Sequence, residues 1–401
     1  MSAQAAAMAA TVADDDRMRA ALHAVPPVDV AGNLRAAIRA GKRVRAVLCE
    51  VWSLQHGPGR LTAPEYFYYR LWEPDVPLSE KARFVGKHAQ HAMHAACNDY
   101  AWHGVTQDKL LFQAAMLGAG LLVPEVVAVV HPSRGLPGAR SLASRERVEA
   151  FLRDPANYPF FAKPIDGIYS LGAISAETYD AAADAVGMRD GTSRTVPALA
   201  AELAGHRADA LIQRHLRGHP ELVGRFGERL CSVRLFVLLT PSGPVISRAV
   251  CKVPVGSNVA DNFWRPGNLV GAVDLPDGTI RRAVRGTGLD MEVDPPHPDT
   301  GQPVVGTRIP GWGELVALAS RAAATLPGVR TQSWDVALTD KGPVLLEVNW
   351  GGDLNLAQLA WGKGALDEAY REHLRACGFR SSPSRRRRWR RGAAASEGAS
   401  S

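Results

Sequence analysis

The sequence predicts an α+β fold in which helices cover antiparallel sheets. Three turn signals lead to this prediction, at residues 241–243, 276–278 and 340–342. Each separates two runs rich in Val, Ile and Leu, a pattern typical of antiparallel hairpins rather than of parallel βαβ repeats. Before the third hairpin, apolar residues between 315 and 326 recur on one face of a predicted helix, which we expect to cover a sheet.

The remaining elements follow from apolar periodicity and from Pro/Gly breaks. The first 105 residues alternate helical stretches with one strand candidate at residues 45–51. A helical pattern begins at Asp108 and ends at Gly118 and Gly120. Further on, we predict strands at 126–130, 159–163 and 210–215, a helix at 144–153 and a final helix at 354–377.

The composition is that of a globular protein with one concentrated run of charge. The chain has 401 residues, 46% hydrophobic and 22% charged, which excludes disorder of the whole chain. The net charge is +7, but six arginines lie within residues 385–391, and removing them leaves only +1. We therefore expect no specific nucleic-acid partner, and we predict a disordered basic tail over residues 379–401 that is able to contact anionic surfaces.

Apolar runs and cysteines indicate the compartment. Runs such as 126–130 and 235–239 have the length of strands, far short of the roughly 20 residues of a membrane-spanning helix. The N-terminus lacks the cationic start and apolar centre of a secretory signal. Five cysteines without a C-x-x-C pair are typical of reduced thiols. We expect a soluble cytoplasmic protein with no transmembrane segment.

Two acidic residues lie inside the apolar strands of the third hairpin. Asp335 and Glu347 are equidistant from Lys341, so antiparallel pairing places them opposite one another, and Asn349 shares the face of Glu347. Opposed carboxylates in poorly solvated surroundings repel one another, and hard cations that prefer oxygen ligands relieve the repulsion. The pattern predicts a Mg²⁺ (or Mn²⁺) site, with an exposed hairpin of solvated acids as the alternative.

Two basic residues indicate an anionic partner. Lys163 ends a short strand, and a loop containing Gly167 and Gly172 follows, where an ammonium group and accessible amides suit a polyphosphate; a plain turn is the alternative. Arg234 lies in an otherwise apolar strand, where a guanidinium requires either a structural carboxylate or a substrate phosphate.

In this order, the motifs resemble the ATP-grasp superfamily, and most closely its sugar-transfer-associated family, which is related to α-L-glutamate ligases. The resembling segments are residues 108–112, 120–124, 161–164, 211–222, 232–234, 261–267 and 334–349. The resemblance implies an ATP-grasp fold, two α+β subdomains with antiparallel sheets that grip ATP. The implied boundaries are a mostly helical region at 1–105 and an ATP-grasp domain at 106–378, with a lid subdomain at about 158–216 and a metal-binding subdomain at about 217–378.

The resemblance also implies roles for single residues. Contacts with ATP are expected from Lys109, Lys163, Gly167, Gly172, Gln213, Leu216 and Glu221. Catalytic roles are expected for Arg234, Lys252 and Asn262, although Lys252 stands where an arginine would be expected. The implied metal ligands are Asp335, Glu347 and Asn349.

The reaction that the resemblance implies is ATP- and Mg²⁺-dependent ligation in polysaccharide or cell-envelope metabolism. A small-molecule carboxylate would attack the γ-phosphate, and an amine or a similar nucleophile, such as a thiol, would capture the acyl phosphate. The alternative is an ATP-binding regulatory or scaffold protein of a sugar-transfer system without turnover. Glycosyltransfer through the acidic run at residues 14–16 is disfavoured, because that run lies in a polar stretch expected to be solvated.

His88, His91, His94 and Cys97 repeat every three residues and resemble a metal cluster. On a helix each step turns the side chain by about 60°, so Cys97 lies opposite His88. Four ligands from one helix therefore cannot close around an ion, and a surface or interface helix is favoured over a zinc site.

Overall fold

The computed structural model describes residues 28–166, 172–205, 209–256, 263 and 267–380. Its α-helices are α1 (Val30–Arg39), α2 (Val44–Gln55), α3 (Ala63–Tyr68), α4 (Leu78–Lys81), α5 (Lys87–Cys97), α6 (His103–Gln107), α7 (Lys109–Gly118), α8 (Arg145–Leu152), α9 (Val196–Leu203), α10 (Pro220–Phe226), α11 (Trp312–Ala324), α12 (Leu354–Trp361) and α13 (Glu368–Ala376). Its strands are β1 (Val126–Val130), β2 (Arg140–Ser141), β3 (Phe160–Pro164), β4 (Ile174–Asp180), β5 (Ala185–Met188), β6 (Ser193–Thr195), β7 (Ala210–Arg214), β8 (Ser232–Thr240), β9 (Gly243–Val253), β10 (Leu269–Val273), β11 (Ile280–Arg285), β12 (Glu292–Val293), β13 (Thr331–Thr339) and β14 (Gly342–Trp350).

Contacts divide the chain into two compact units. Among the described residues, the first comprises 28–97, Gly286–Met291 and 353–380, and the second lies within Asn98–Arg285 and Glu292–Gly352. This division differs from the sequence-based boundaries, which placed residues 353–378 in the metal-binding subdomain. Those subdomain boundaries stay predictions.

In the first unit, the C-terminal helices pack with the N-terminal ones through buried hydrogen bonds. The Tyr69 hydroxyl donates to Asn355 Oδ1 at 2.6 Å and accepts from Gln358 Nε2 at 3.1 Å. The backbone N–H of Val85 donates to Gln358 Oε1 at 2.7 Å. Buried polar groups must find such partners, so these bonds explain why the end of the chain belongs to this unit.

The strand predicted at residues 45–51 is wrong, because helix α2 covers these residues. Val47 and Leu54 are buried and seven residues apart, which places them on the same helix face two turns apart. Leu48 and Trp52 are exposed on the other side of the helix. A short apolar run fits the period of either a strand or a helix, and only the longer spacing of the buried positions distinguishes them.

The single helix predicted at residues 354–377 is also wrong, because α12 and α13 are separate. Gly362 ends α12 with a φ of 61°, in the left-handed region that glycine adopts without strain. A Cβ atom at Gly364 would collide with the backbone of Arg83. The linker therefore passes too close to another segment to continue as a helix.

The second unit contains two seven-stranded sheets among the residues that the structure describes. The first has the order β2-β1-β7-β3-β4-β5-β6, and the second has the order β12-β11-β10-β9-β8-β13-β14. Of the strands that the structure describes, β1 and β2 alone pair in parallel, and the other pairs are antiparallel. The predicted α+β class is confirmed, and the three turn signals join β8 to β9, β10 to β11 and β13 to β14.

Helix α11 covers the second sheet, as its apolar pattern predicts. Leu315, Leu318 and Ala322 are buried, and α11 contacts β8, β9, β13 and β14. Burying a leucine side chain stabilises a fold by about 1.5–3 kcal/mol, so this face anchors the sheet that carries the acidic hairpin. No helix within the described ranges is long and apolar enough to cross a membrane.

Candidate active site

The centre of the candidate site is the buried carboxylate of Asp335 on β13. In the register of the second sheet, Asp335 pairs with Glu347 on β14 and with Arg234 on β8. Arg234 donates from Nε to Oδ1 and from NH2 to Oδ2 of Asp335, both at 2.6 Å. The predicted opposition of Asp335 and Glu347 is confirmed, and the partner of the strand arginine is a carboxylate of the same sheet.

Lys252 reaches the same carboxylate from β9. Its Nζ donates to Asp335 Oδ2 at 3.1 Å, and its side chain is 7% exposed. Burial raises the pKa of the Asp335 carboxyl, but the charges and hydrogen bonds of Arg234 and Lys252 outweigh burial and hold that pKa well below its usual range. Asp335 is therefore an anion locked between two cations.

Glu347 and Asn349 lie on the neighbouring edge strand and are less tightly held. The Glu347 side chain is 35% exposed, and its Oε1 lies 3.9 Å from Arg234 NH2, beyond hydrogen-bond distance. Asn349 pairs in register with Ser333. Its buried Nδ2 has no hydrogen-bond partner within the described part of the chain. The Asn349 amide N–H is thus available to an acceptor, and the Glu347 carboxylate is accessible to solvent.

Lys109 and Lys163 bring positive charge to Glu347. Helix α7 starts at Lys109 because Asp108 caps it, accepting from the backbone N–H groups of Leu110 and Leu111. The backbone N–H of Lys109 donates to Ile165 O at 2.8 Å, so the helix start lies beside the end of β3, which carries Lys163. This bond between helix and strand brings the two lysines to one place.

Burial lowers the pKa of both lysines. For Lys109, the charges of Glu347, Asp166 and Asp108 partly offset the lowering. For Lys163, burial is the largest cause and the charge of Lys109 adds to it, so the pKa falls to about 8 although Glu347 and Asp335 raise it. Lys163 Nζ lies 3.5 Å from the Leu346 carbonyl, the limit of a hydrogen bond. Burial therefore outweighs the nearby carboxylates at both lysines.

The residues that the resemblance assigns to the nucleoside lie where the chain leaves the first sheet for the second. Gln213 is buried in β7, and its Nε2 has no hydrogen-bond partner among the described residues. Leu216 follows in the connection, half-buried. Glu221 is exposed in the first turn of α10. The connection is fixed where His219 N–H donates to Leu338 O at 2.9 Å.

The predicted phosphate loop and asparagine loop are only partly described. Gly172 has a φ of 68°, and a Cβ there would lie 3.1 Å from the ring of Pro164, so glycine suits this position. Gly167 and Asn262 lie outside the described residues, as do residues 381–401 of the basic tail. Their assigned roles stay predictions.

Sequence reasoning missed Ser333, which lies two residues before Asp335 on the same strand face. Its Oγ is buried without a hydrogen-bond partner within the described ranges. A Cβ at Gly352 would collide with this side chain, so the chain passes closely over it. The period of two was the signal: Ser333, Asp335, Glu347 and Asn349 lie on one face of the hairpin.

The oxygen set of this face fits a hard divalent cation. Two carboxylates and an amide oxygen are the ligand types that Mg²⁺ prefers. Glu347 and Asn349 fit best, because Asp335 already shares both oxygens with Arg234 and Lys252. Beside this face, Lys109 and Lys163 suit the oxygens of a polyphosphate.

Comparisons with known proteins agree with this arrangement. The chain belongs to the sugar-transfer associated ATP-grasp family, whose model matches residues 89–372, more than half of the chain. Its two largely antiparallel sheets are therefore those of an ATP-grasp protein. No curated protein matched the sequence.

Several solved structures are distantly similar. One is N5-carboxyaminoimidazole ribonucleotide synthetase in complex with ADP, with 13% identity over 70% of this chain and 53% of that chain, at a TM-score of 0.38. Another is biotin carboxylase from Campylobacter jejuni, with 11% identity over 72% and 50%, at a TM-score of 0.41. A third is D-alanine-D-alanine ligase from Helicobacter pylori, with 14% identity over 70% and 62%, at a TM-score of 0.38. The chain thus spans less than two thirds of each, and the likeness is too distant to bear on activity.

Proposed function

We propose that the protein is an ATP-dependent ligase that activates a carboxylate as an acyl phosphate. The observation that supports this most is the convergence of two half-buried lysines, Lys109 and Lys163, whose pKa values are lowered by burial. An ammonium group whose charged form is disfavoured by burial gains more stabilisation from an incoming anion than an exposed one does. Together with membership of the ATP-grasp family, this favours the triphosphate of ATP as that anion.

Each part of ATP would have its own contacts. Lys109 and Lys163 would neutralise the α- and β-phosphates. Gln213, Leu216 and Glu221 would hold the nucleoside at the connection between the two sheets. When bound by Glu347 and Asn349, with Asp335 behind them, Mg²⁺ would supply positive charge to the β- and γ-phosphate oxygens.

The chemistry then needs no covalent protein nucleophile. A substrate carboxylate oxygen attacks the γ-phosphorus, the bond to the β-phosphate oxygen breaks, and ADP leaves with that electron pair. An amine, or a thiol, attacks the carbonyl carbon of the acyl phosphate. Inorganic phosphate then leaves with the C–O electron pair, and the proton of the nucleophile passes to solvent. Arg234, held rigid by Asp335, would stabilise the charge on the transferring phosphoryl group.

We assign Lys252 a positioning role. Its ammonium is buried and bonded to Asp335, and that bond fixes the carboxylate to which Arg234 is also bonded. The same contact explains why a lysine is tolerated where an arginine would be expected. A role in polysaccharide or cell-envelope metabolism, and the identity of the carboxylate and the acceptor, stay predictions.

The test is the substitution Glu347→Gln, with the same change at the exposed Glu314 as a matched control. Purified protein would be incubated with ATP, Mg²⁺ and a pooled metabolite extract, and ADP release and new ligated masses would be measured. We expect turnover in the native protein and in Glu314→Gln, and its loss in Glu347→Gln with an unchanged circular dichroism spectrum.

Two outcomes would contradict the proposal. Normal ADP release by Glu347→Gln would remove this residue from the metal site. Calorimetric ATP binding by the native protein, without ADP release across a panel of carboxylates and amines, would instead favour a regulatory or scaffold protein.

A further inference from the structure

Two thiols and one imidazole meet within the first compact unit. Cys97 is the last residue of α5, while His373 lies in the last turn of α13 and Cys377 is its C-cap. Their ligand atoms all lie within 4.8 Å of one another. Cys97 and His373 are buried, at 4% and 5% exposure, and Cys377 is partly buried.

The local structure explains why these three side chains converge. His373 and Cys377 are four residues apart, so both project from the same face of the helix. The backbone N–H of Cys377 donates to His373 O at 2.9 Å, which keeps the cysteine in helical register. Helices α5 and α13 are in contact, so Cys97 arrives from the opposite side.

Of the α5 repeat His88, His91, His94 and Cys97, the cluster found within the described residues includes Cys97 alone. His88 and His91 are exposed, in keeping with the rotation of about 60° per step. Cys97 instead finds its companions on a helix almost 280 residues away in the sequence. The metal-like repeat therefore contained one ligand, and tertiary structure supplies two others.

We propose that Cys97, His373 and Cys377 bind a Zn²⁺ ion. Cys377 Sγ lies 3.5 Å from His373 Nε2. Zinc bonds of about 2.3 Å to sulfur and about 2.0–2.1 Å to nitrogen at a tetrahedral angle require a sulfur-nitrogen separation of about 3.5 Å. The pair is thus already at the distance that a shared zinc ion imposes.

The chemistry of the cluster favours zinc over the hard cations suited to the acidic hairpin. Thiolates and imidazole are soft or intermediate ligands that select Zn²⁺ and disfavour Mg²⁺. Two thiolates and a neutral imidazole also cancel the charge of the ion, which matters because an uncompensated charge is costly where two ligands are buried. Binding releases the two thiol protons to solvent, and a water molecule completes the coordination.

The bound ion would connect the end of α5 to the end of α13. Because the two segments are far apart in sequence, a link between them removes much conformational freedom from the unfolded chain. Binding free energy at such a site also becomes folding free energy. We therefore expect zinc to stabilise the first unit.

The first experiment measures zinc in the full-length protein, purified without added chelator and dialysed, by inductively coupled plasma mass spectrometry. We expect about one zinc ion per chain. Cys97→Ser and Cys377→Ser should lose it, whereas Cys49→Ser, which removes an exposed thiol, should retain it. Zinc content unchanged in both Cys97→Ser and Cys377→Ser would overturn the proposal.

A second measurement uses the native sequence, so it does not depend on whether the variants fold. The metal is removed with a chelator, Co²⁺ is added, and the absorption spectrum is recorded. A thiolate-to-cobalt charge-transfer band that disappears on adding Zn²⁺ supports the site. Absence of the band in folded, fully reduced protein, or a disulfide between Cys97 and Cys377 in protein purified without oxidant, would overturn it.

Discussion

Asp335 and Lys163 lie within one candidate site, but their charges are balanced in different ways. The Asp335 carboxylate accepts three hydrogen bonds from two cations, and its pKa lies well below the usual range although burial acts in the opposite direction. Lys163 has nearby anions in Glu347 and Asp335, but burial together with Lys109 lowers its pKa to about 8. One group has a full set of partners, and the other is short of negative charge.

The difference separates structure from ligand binding. A buried ion with matched partners stabilises the protein as it stands, and removing one partner leaves an uncompensated charge. A buried cation without enough negative charge costs stability until an anion arrives. We infer that Asp335, together with Arg234 and Lys252, holds the sheet in shape, and we propose that Lys163 is where a nucleotide would gain affinity.

The largest effect should follow from Asp335→Asn, which removes the carboxylate that Arg234 and Lys252 share. We expect a loss of about 3–5 kcal/mol in the free energy of unfolding, measured with urea. Glu347→Gln serves as the control and should lose less than about 1 kcal/mol, because its side chain is 35% exposed. A loss below about 1 kcal/mol for Asp335→Asn would mean that the ion pairs of Asp335 with Arg234 and Lys252 do not stabilise the fold.

The next effect concerns Lys163→Met, which keeps the bulk of the side chain and removes its charge. Loss of a hydrogen bond to a charged group, about 1.5–3 kcal/mol, should weaken ATP binding roughly 10- to 100-fold in calorimetry. The free energy of unfolding should stay equal or increase, because a poorly compensated charge is removed. Lys341→Met, in the exposed hairpin turn, is the matched control. Undiminished affinity in Lys163→Met would show that Lys163 does not contribute to ATP binding.

A smaller effect is proton uptake when ATP binds. Because the pKa of Lys163 is about 8, it is half protonated at pH 8, and a bound phosphate should restore full protonation with uptake of about half a proton. Calorimetry in buffers of different ionisation enthalpy measures this uptake, which Lys163→Met should abolish. Proton release at pH 8 would contradict the assignment.

The lowered pKa of Lys163 also predicts how the free energy of unfolding changes with pH in the absence of ATP. Lys163 titrates near 8 in the folded chain and at its ordinary value of 10.5 in the unfolded chain, so the unfolded state binds more protons between these values. The destabilising contribution of Lys163 is therefore complete below pH 8 and is relieved as the pH rises towards 10.5. The difference in unfolding free energy between native protein and Lys163→Met should shrink over that window.

The smallest effect should come from Ser333→Ala, on the same strand face as Asp335. Its buried Oγ has no hydrogen-bond partner within the described residues, so removing the hydroxyl forfeits no bond. We expect a change below about 0.5 kcal/mol in unfolding free energy, while ATP-dependent turnover reports whether a ligand uses this hydroxyl. A loss near that of Asp335→Asn would show that Ser333 also stabilises the buried ion pairs of Asp335.

Much of the fold could be predicted because it depends on local periodicity. The acidic hairpin is the clearest case: a turn at Asp340–Gly342 and a side-chain period of two were enough to place Asp335 opposite Glu347. Helix α2 was predicted as a strand because its short apolar run fits both periods. The break between α12 and α13 depends on the close approach of Arg83 to Gly364, a contact between distant segments that no local pattern reveals.

The sequence by itself determined the α+β class, the antiparallel hairpins and the motifs of the ATP-grasp family, because alternation, turn residues and helical faces act over a few residues. Only the tertiary structure decided which charges meet. Arg234 and Asp335 are a hundred residues apart and pair because β8 and β13 are neighbours in the sheet. Lys109 and Lys163 converge through one backbone bond, and Cys97 meets His373 and Cys377 through helix packing. Electrostatics and metal binding act through space over a few ångströms, so their outcome depends on contacts that separation along the chain does not specify.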